Sequence, residues 1–99
     1  MNEKEFKART KQLALRVIRL VNTLPQNRTA DVIGKQLLRS ATSVGANYRA
    51  ACRGKSTADV IAKLSIVEEE TDESLYWLKL LIESQLIPAE KLKSLIFRN

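Results

Sequence analysis

The stretch RAACRGKST, Arg49 to Thr57, decides between two folds. Gly54-Lys55-Ser56 matches the end of a phosphate-binding P-loop, which would put it between a strand and a helix of an α/β nucleotide-binding domain. That loop needs Gly-x-x-x-x-Gly-Lys-Ser/Thr, and the position five before Gly54 is Arg49, not glycine. The residues leading into it carry a helical period rather than the apolar run of a buried strand. A nucleotide cradle is therefore rejected in favour of a tight turn between two helices. In that reading Gly54 takes a left-handed conformation that closes the preceding helix. Ser56 accepts the Asp59 amide, and the Asp59 carboxylate reaches back to the Ser56 amide as a capping box. Arg53 and Lys55 sit at the negative end of the preceding helix, where cations are favoured.

Working outward, the preceding helix is predicted from about Ala30 to Arg53, with Thr29 as its cap. Ile33, Leu37, Ala41, Val44, Tyr48 and Ala51 form its buried stripe. Gly34 and Gly45 each cost about 1 kcal/mol of helix propensity, so they point to close approach by a neighbour. The following helix runs from Ser56 to about Ser84, with Val60, Leu64, Val67, Thr71, Leu75, Leu78 and Ile82 as its main stripe. Upstream, Glu3 to Leu24 forms a first helix that buries Phe6, Leu13, Ala14, Val17, Leu20, Val21 and Leu24. Pro25 stops it, and the short link PQNRT makes the next helix an antiparallel neighbour. Pro88 suits the first turn of a short fourth helix ending near Phe97. No convincing strand alternation, repeat or low-complexity tract interrupts the pattern. The expected fold is all-α: a single domain over residues 1–99, an antiparallel up-down four-helix bundle with a short fourth helix.

Composition narrows the function. The 99 residues include one cysteine and no histidine. That excludes an internal disulfide, disfavours a soft-metal site, and removes the commonest general base. We therefore expect no enzyme, no cofactor and no small-molecule substrate. Cys52 is read as a structural helix residue in preference to a lone reactive thiol. No apolar run approaches the ~18 residues of a membrane span, and the charged start MNEKEFKARTK lacks a signal core. The expectation is a cytoplasmic protein without a membrane partner.

The net charge of +6 is divided unevenly. Residues 1–55 hold 12 Lys/Arg against 3 Asp/Glu, a balance of +9; residues 56–99 hold 5 against 8, a balance of −3. Lys35, Arg39, Arg49 and Arg53 fall on one arc of the second helix, interleaved with Thr42 and Ala46. Lys55 extends this stripe, and Lys4, Lys7 and Lys11 add a row on the first helix. Such a surface fits RNA or DNA backbone contact. The scarcity of aromatics speaks against base stacking on single strands. Two other readings stay open: ordinary solvated charge, and a surface for an acidic protein partner or the chain's own subunits.

The third helix carries a second apolar arc, Ile66, Trp77, Leu80 and Leu81, alongside Lys63, Glu70 and Glu73. Leu15 and Ile18 likewise fall outside the main arc of the first helix. Leu15, Ile18, Ile66, Glu70, Glu73, Trp77 and Leu81 are thus expected at a homo-oligomer interface. Glu70 and Glu73 are read as half-buried acids that meet Arg or Lys, not as an acid/base pair. Folding the chain about Gly54 levels Arg39 with Glu70, whereas the helical wheel sets Arg39 opposite the core stripe. The wheel weighs against a pair within the chain, and a pair across subunits remains open.

The segment SATSVGANYRAACRGKSTADVIAKLSIVEEETDESLYWLKLL, Ser40 to Leu81, resembles the four-helix-bundle family of 23S ribosomal RNA intervening-sequence proteins. The likeness is specific at Ser43, Gly45, Ala46, Asn47 and Tyr48, at Ser56, Ala58, Asp59, Lys63 and Leu64, and at Glu70, Glu73, Tyr76, Trp77 and Leu78. It covers the second and third helices firmly and the first loosely. The resemblance implies an up-down bundle that assembles as a ring-like homopentamer and carries no catalytic residues. It also implies a context of ribosomal RNA genes, and a related retroelement accessory protein works with nucleic acid. Ala50 stands where close relatives often have an acid, which makes this stripe more basic, and Val60 stands where phenylalanine is common. Relatives continue their fourth helix beyond the position of Phe97, so that helix is expected to be short here.

Overall fold

A computed structural model describes residues 1–88 and 90. Three helices carry them: α1 (Glu3–Asn22), α2 (Arg28–Cys52) and α3 (Thr57–Glu83). Each starts on a side-chain cap. Asn2 accepts the Glu5 amide at 2.8 Å, Asn27 accepts the Ala30 amide at 2.8 Å, and Ser56 accepts the Asp59 amide at 3.1 Å. Such a cap is worth about 1 kcal/mol over alanine. The cap of α2 is Asn27 and not Thr29, which lies within the first turn. The Asp59 carboxylate reaches one residue further than expected, to the Lys55 amide at 3.2 Å.

The turn between α2 and α3 is tight, but Gly54 is not left-handed: none of the described glycines has a positive φ. Its amide bonds the Ala51 carbonyl at 3.0 Å. What glycine provides is room, because a Cβ would collide with the Val60 side chain and lie 3.1 Å from the Ala51 carbonyl oxygen. The turn is closed by packing rather than by an unusual dihedral.

α2 packs along both of its neighbours, while α1 and α3 barely meet. Small residues set the separations. A Cβ on Gly45 would sit 3.1 Å from the Thr10 hydroxyl, and one on Gly34 would sit 3.0 Å from Leu24. These two contacts fix the antiparallel register of α1 on α2. On the other side the buried hydroxyls of Ser40 and Ser74 lie 2.9 Å apart. Each also reaches a carbonyl of its own helix, so neither is left without a partner. Val17, Leu20, Leu37, Ala41, Leu78, Leu81 and Ile87 form the core.

Two expectations need correction. First, α3 is rotated relative to its predicted stripe. Its buried residues are Val67, Ser74, Leu78 and Leu81, whereas Leu64 and Leu75 stay 42% and 46% exposed. Apolar residues surround this helix, so hydrophobicity alone does not choose a face. The Ser40–Ser74 contact and the pairing of Glu70 and Glu73 with α2 turn it. Leu81, expected at a subunit interface, is fully buried in the core instead.

Second, the described residues form three helices, not a four-helix bundle. α3 ends in a reversal at Gln85, whose φ is 64°. The amides of Gln85 and Leu86 bond the Ile82 and Leu81 carbonyls, each at 2.9 Å, satisfying the last turn. This reversal tucks Ile87 into the core, so the tail itself covers the end of the three-helix packing. The expected fourth helix, Pro88 to Phe97, falls almost wholly outside the described residues. No described helix is long and apolar enough to cross a membrane.

Candidate nucleic-acid interface

Lys35, Arg39, Thr42, Ala46, Arg49 and Arg53 are all exposed along α2. Their spacing of three and four residues keeps them on one side of the helix, and Lys35 to Arg53 spans about 27 Å at the helical rise. The two halves of this ridge have different surroundings.

Arg39 leans onto α3. Its guanidinium lies 3.2 Å from the Glu70 carboxylate and also meets that of Glu73. The Trp77 indole N–H donates to Glu73 at 2.9 Å, and Arg39 Nε donates to Gln36 at 3.3 Å. The pair across subunits is not needed: the arginine reaches both acids within the chain. The wheel misleads here because it tracks the Cβ direction, while the long side chain crosses to the next helix. The Arg39 side chain is 49% exposed, so solvent screens this cluster and each contact is worth at most about 1 kcal/mol.

Arg49 leans the other way, toward α1. It lines a groove of about 380 Å³ with Lys7, Lys11, Thr10, Ala14, Thr42, Gly45 and Ala46. Lys7 and Lys11 of the α1 row and Arg49 of the α2 stripe thus become one site, joined by the register that sets Thr10 against Gly45, while Lys4 is exposed outside the lining. Lys7 pairs with Glu3 at 3.3 Å. Among the described residues no acid pairs with Lys11 or Arg49. Arg53 and Lys55 continue the positive surface, exposed at the end of α2 and in the turn. Lys35 is exposed too, but about 21 Å from Arg49 along the helix.

One end of this groove is pinned by a small cluster. The rings of Phe6 and Tyr48 stand 4.4 Å apart, tying α1 to α2. Burial, and then the neighbouring Cys52 thiol, push the Tyr48 phenol above its ordinary range. A hydrogen bond from the same thiol, followed by Lys7, holds the Glu3 carboxyl below its usual range. Cys52 is half-buried in this cluster, which accounts for it structurally. No three metal-ligating side chains gather among the described residues.

The residues expected at a subunit interface scatter. Glu70, Glu73 and Trp77 are half-buried around Arg39, Leu81 is in the core, and Leu15 and Ile66 are half-buried. Ile18 stays 37% exposed. More exposed apolar side chains lie elsewhere, at Val32, Ile61, Leu64, Leu75 and Tyr76. Sequence reasoning left Thr10, Ala14 and Gly45 out of the site. Only the glycine carried a signal, as a costly residue inside a helix.

Comparison with known proteins adds a family. The chain matches the 23S rRNA-intervening sequence protein family over residues 2–98. It is also similar to a protein of unknown function from the S23 ribosomal protein family of Bacteroides thetaiotaomicron, solved by crystallography. The two are 39% identical with a TM-score of 0.87, over 96% of this chain and 85% of the other. No functionally curated protein matches.

Proposed function

We propose that this chain, which belongs to the 23S rRNA-intervening sequence protein family, is a non-enzymatic cytoplasmic protein that associates with RNA or DNA through the basic side formed by α1 and α2. One observation carries the reading: Lys7, Lys11 and Arg49 converge on one groove, with no acid at Lys11 or Arg49 among the described residues. Lys11 and Arg49 face each other there without a compensating acid, beside a Lys7 that Glu3 partly neutralises, and a polyanion relieves their repulsion while releasing its counterions. The family's name, which refers to ribosomal RNA, agrees with such a ligand. Self-association belongs to the same reading, through the exposed Ile61, Leu64, Leu75 and Tyr76 of α3 in place of the residues expected from sequence.

Fluorescence anisotropy with a labelled RNA at about 50 and 200 mM salt tests the main claim. Binding is expected at low salt and should weaken at high salt. The combined variant Lys7→Glu, Lys11→Glu, Arg49→Glu should abolish it. Absence of binding to any nucleic acid at low salt overturns the reading.

A further inference from the structure

We propose that the α1–α2 groove seats one strand of a nucleic-acid double helix by its phosphodiester backbone, with the bases turned away from the protein. The proposal rests on the nucleic-acid reading above and narrows it to a duplex.

The donors in the groove recognise charge and little else. Lys7 and Lys11 stand one turn apart on α1, about 6 Å along the axis, and face Arg49 across the groove. The two hydroxyls of the lining are already committed. Thr10 donates to the Lys7 carbonyl at 3.1 Å and Thr42 to the Leu38 carbonyl at 2.8 Å. No Asn, Gln, Asp or Glu lines the groove, so the side chains that read adenine and cytosine edges are missing; Arg49, Lys7 and Lys11 are left, and these meet phosphates as readily as a guanine edge. Between the cations the lining is small: Ala14, Gly45 and Ala46 leave space for a sugar-phosphate ridge to approach the helices closely.

Single strands are held differently, by stacking their bases on aromatic rings. The groove offers none. Phe6 and Tyr48 are half-buried against each other, and the Trp77 indole is tied to Glu73 on α3. Tyr76 is exposed but lies outside the groove lining. A duplex needs no such platform because its bases stack on one another. It also carries about one charge per 1.7 Å of axis, denser than a single strand. A site made only of cations and small residues favours that ligand, and its lack of carboxamides and carboxylates predicts largely sequence-blind binding.

The test uses the full chain and three labelled probes of equal length: an unstructured single-stranded RNA, an RNA duplex and a DNA duplex. Both duplexes are expected to bind about tenfold more tightly than the single strand at the same salt, in keeping with backbone recognition. Ala46→Leu fills the groove without changing charge, and Ala46 is exposed, so the fold should tolerate it. This variant should weaken duplex binding about fivefold or more, while Ala62→Leu, exposed on α3 outside the groove, should leave it unchanged. If Ala46→Leu lowers the thermal midpoint, Lys11→Gln replaces it and should weaken both duplexes. Equal or tighter binding of the single strand overturns the duplex proposal while leaving the broader reading intact. So does undiminished duplex binding by the groove variant. Failure of all three probes to bind removes the broader reading itself.

Discussion

Arg39 and Arg49 lie ten residues apart on the same exposed ridge of α2, and their surroundings are opposite. Arg39 meets Glu70 and Glu73 on α3; Arg49 faces Lys7 and Lys11 on α1. One arginine is compensated by its own fold, and the other adds to a field its own fold leaves positive. A row of cations on a helix is therefore not a site in itself. What the neighbouring helix places beside each cation decides whether it stabilises the protein or attracts a ligand.

The largest effect that could break this comparison lies in binding. Reversing Lys7, Lys11 and Arg49 together should cost at least a hundredfold in RNA affinity at low salt, read by anisotropy, because three phosphate contacts are lost. An intermediate effect concerns stability. Arg39→Ala leaves two half-buried carboxylates without their cation and should destabilise the fold by about 1 kcal/mol in a urea melt. Arg49→Ala should change stability by less than about 0.5 kcal/mol in the same melt. Trp77 fluorescence should shift with the first variant and not with the second, since Glu73 accepts from the indole. Comparable destabilisation by both would remove the distinction.

Smaller effects sharpen it. Glu70→Gln with Glu73→Gln releases Arg39 and should tighten RNA binding several-fold, with the salt slope rising by about 1. The smallest is a pH effect at the groove's end. The folded-state Glu3 carboxyl is held below its usual range, so its stabilising contribution is present above the unfolded value. It is lost as pH falls through the depressed folded value, and acid titration of Glu3→Gln should lack that small loss.

Much of this arrangement was legible in the sequence. The stripe of α2 stood out because Leu37, Ala41, Val44 and Ala51 contrast sharply with the cations opposite. The face of α3 was misread because Leu64 and Leu75, in the predicted stripe, remain exposed while Ser74 is buried. Its buried polar residue is stabilised by Ser40, a partner that no property of α3 alone announces. The basic groove was legible only as two separate rows. Joining them requires the α1–α2 register, set by the Gly45–Thr10 and Gly34–Leu24 contacts. The reversal at Gln85 was also hidden, because a left-handed residue there is not the glycine such a position favours.

The most direct test of the account is the salt dependence of duplex RNA binding for two variants measured side by side. Arg49→Gln removes one cation from the groove; Arg39→Gln with Glu70→Gln and Glu73→Gln removes the compensated cluster without leaving bare acids. The slope of log affinity against log salt should fall by about 0.9 in magnitude for the first variant. It should remain that of the unaltered protein for the second. An unchanged slope for Arg49→Gln, or a loss confined to the Arg39 cluster, would contradict the account.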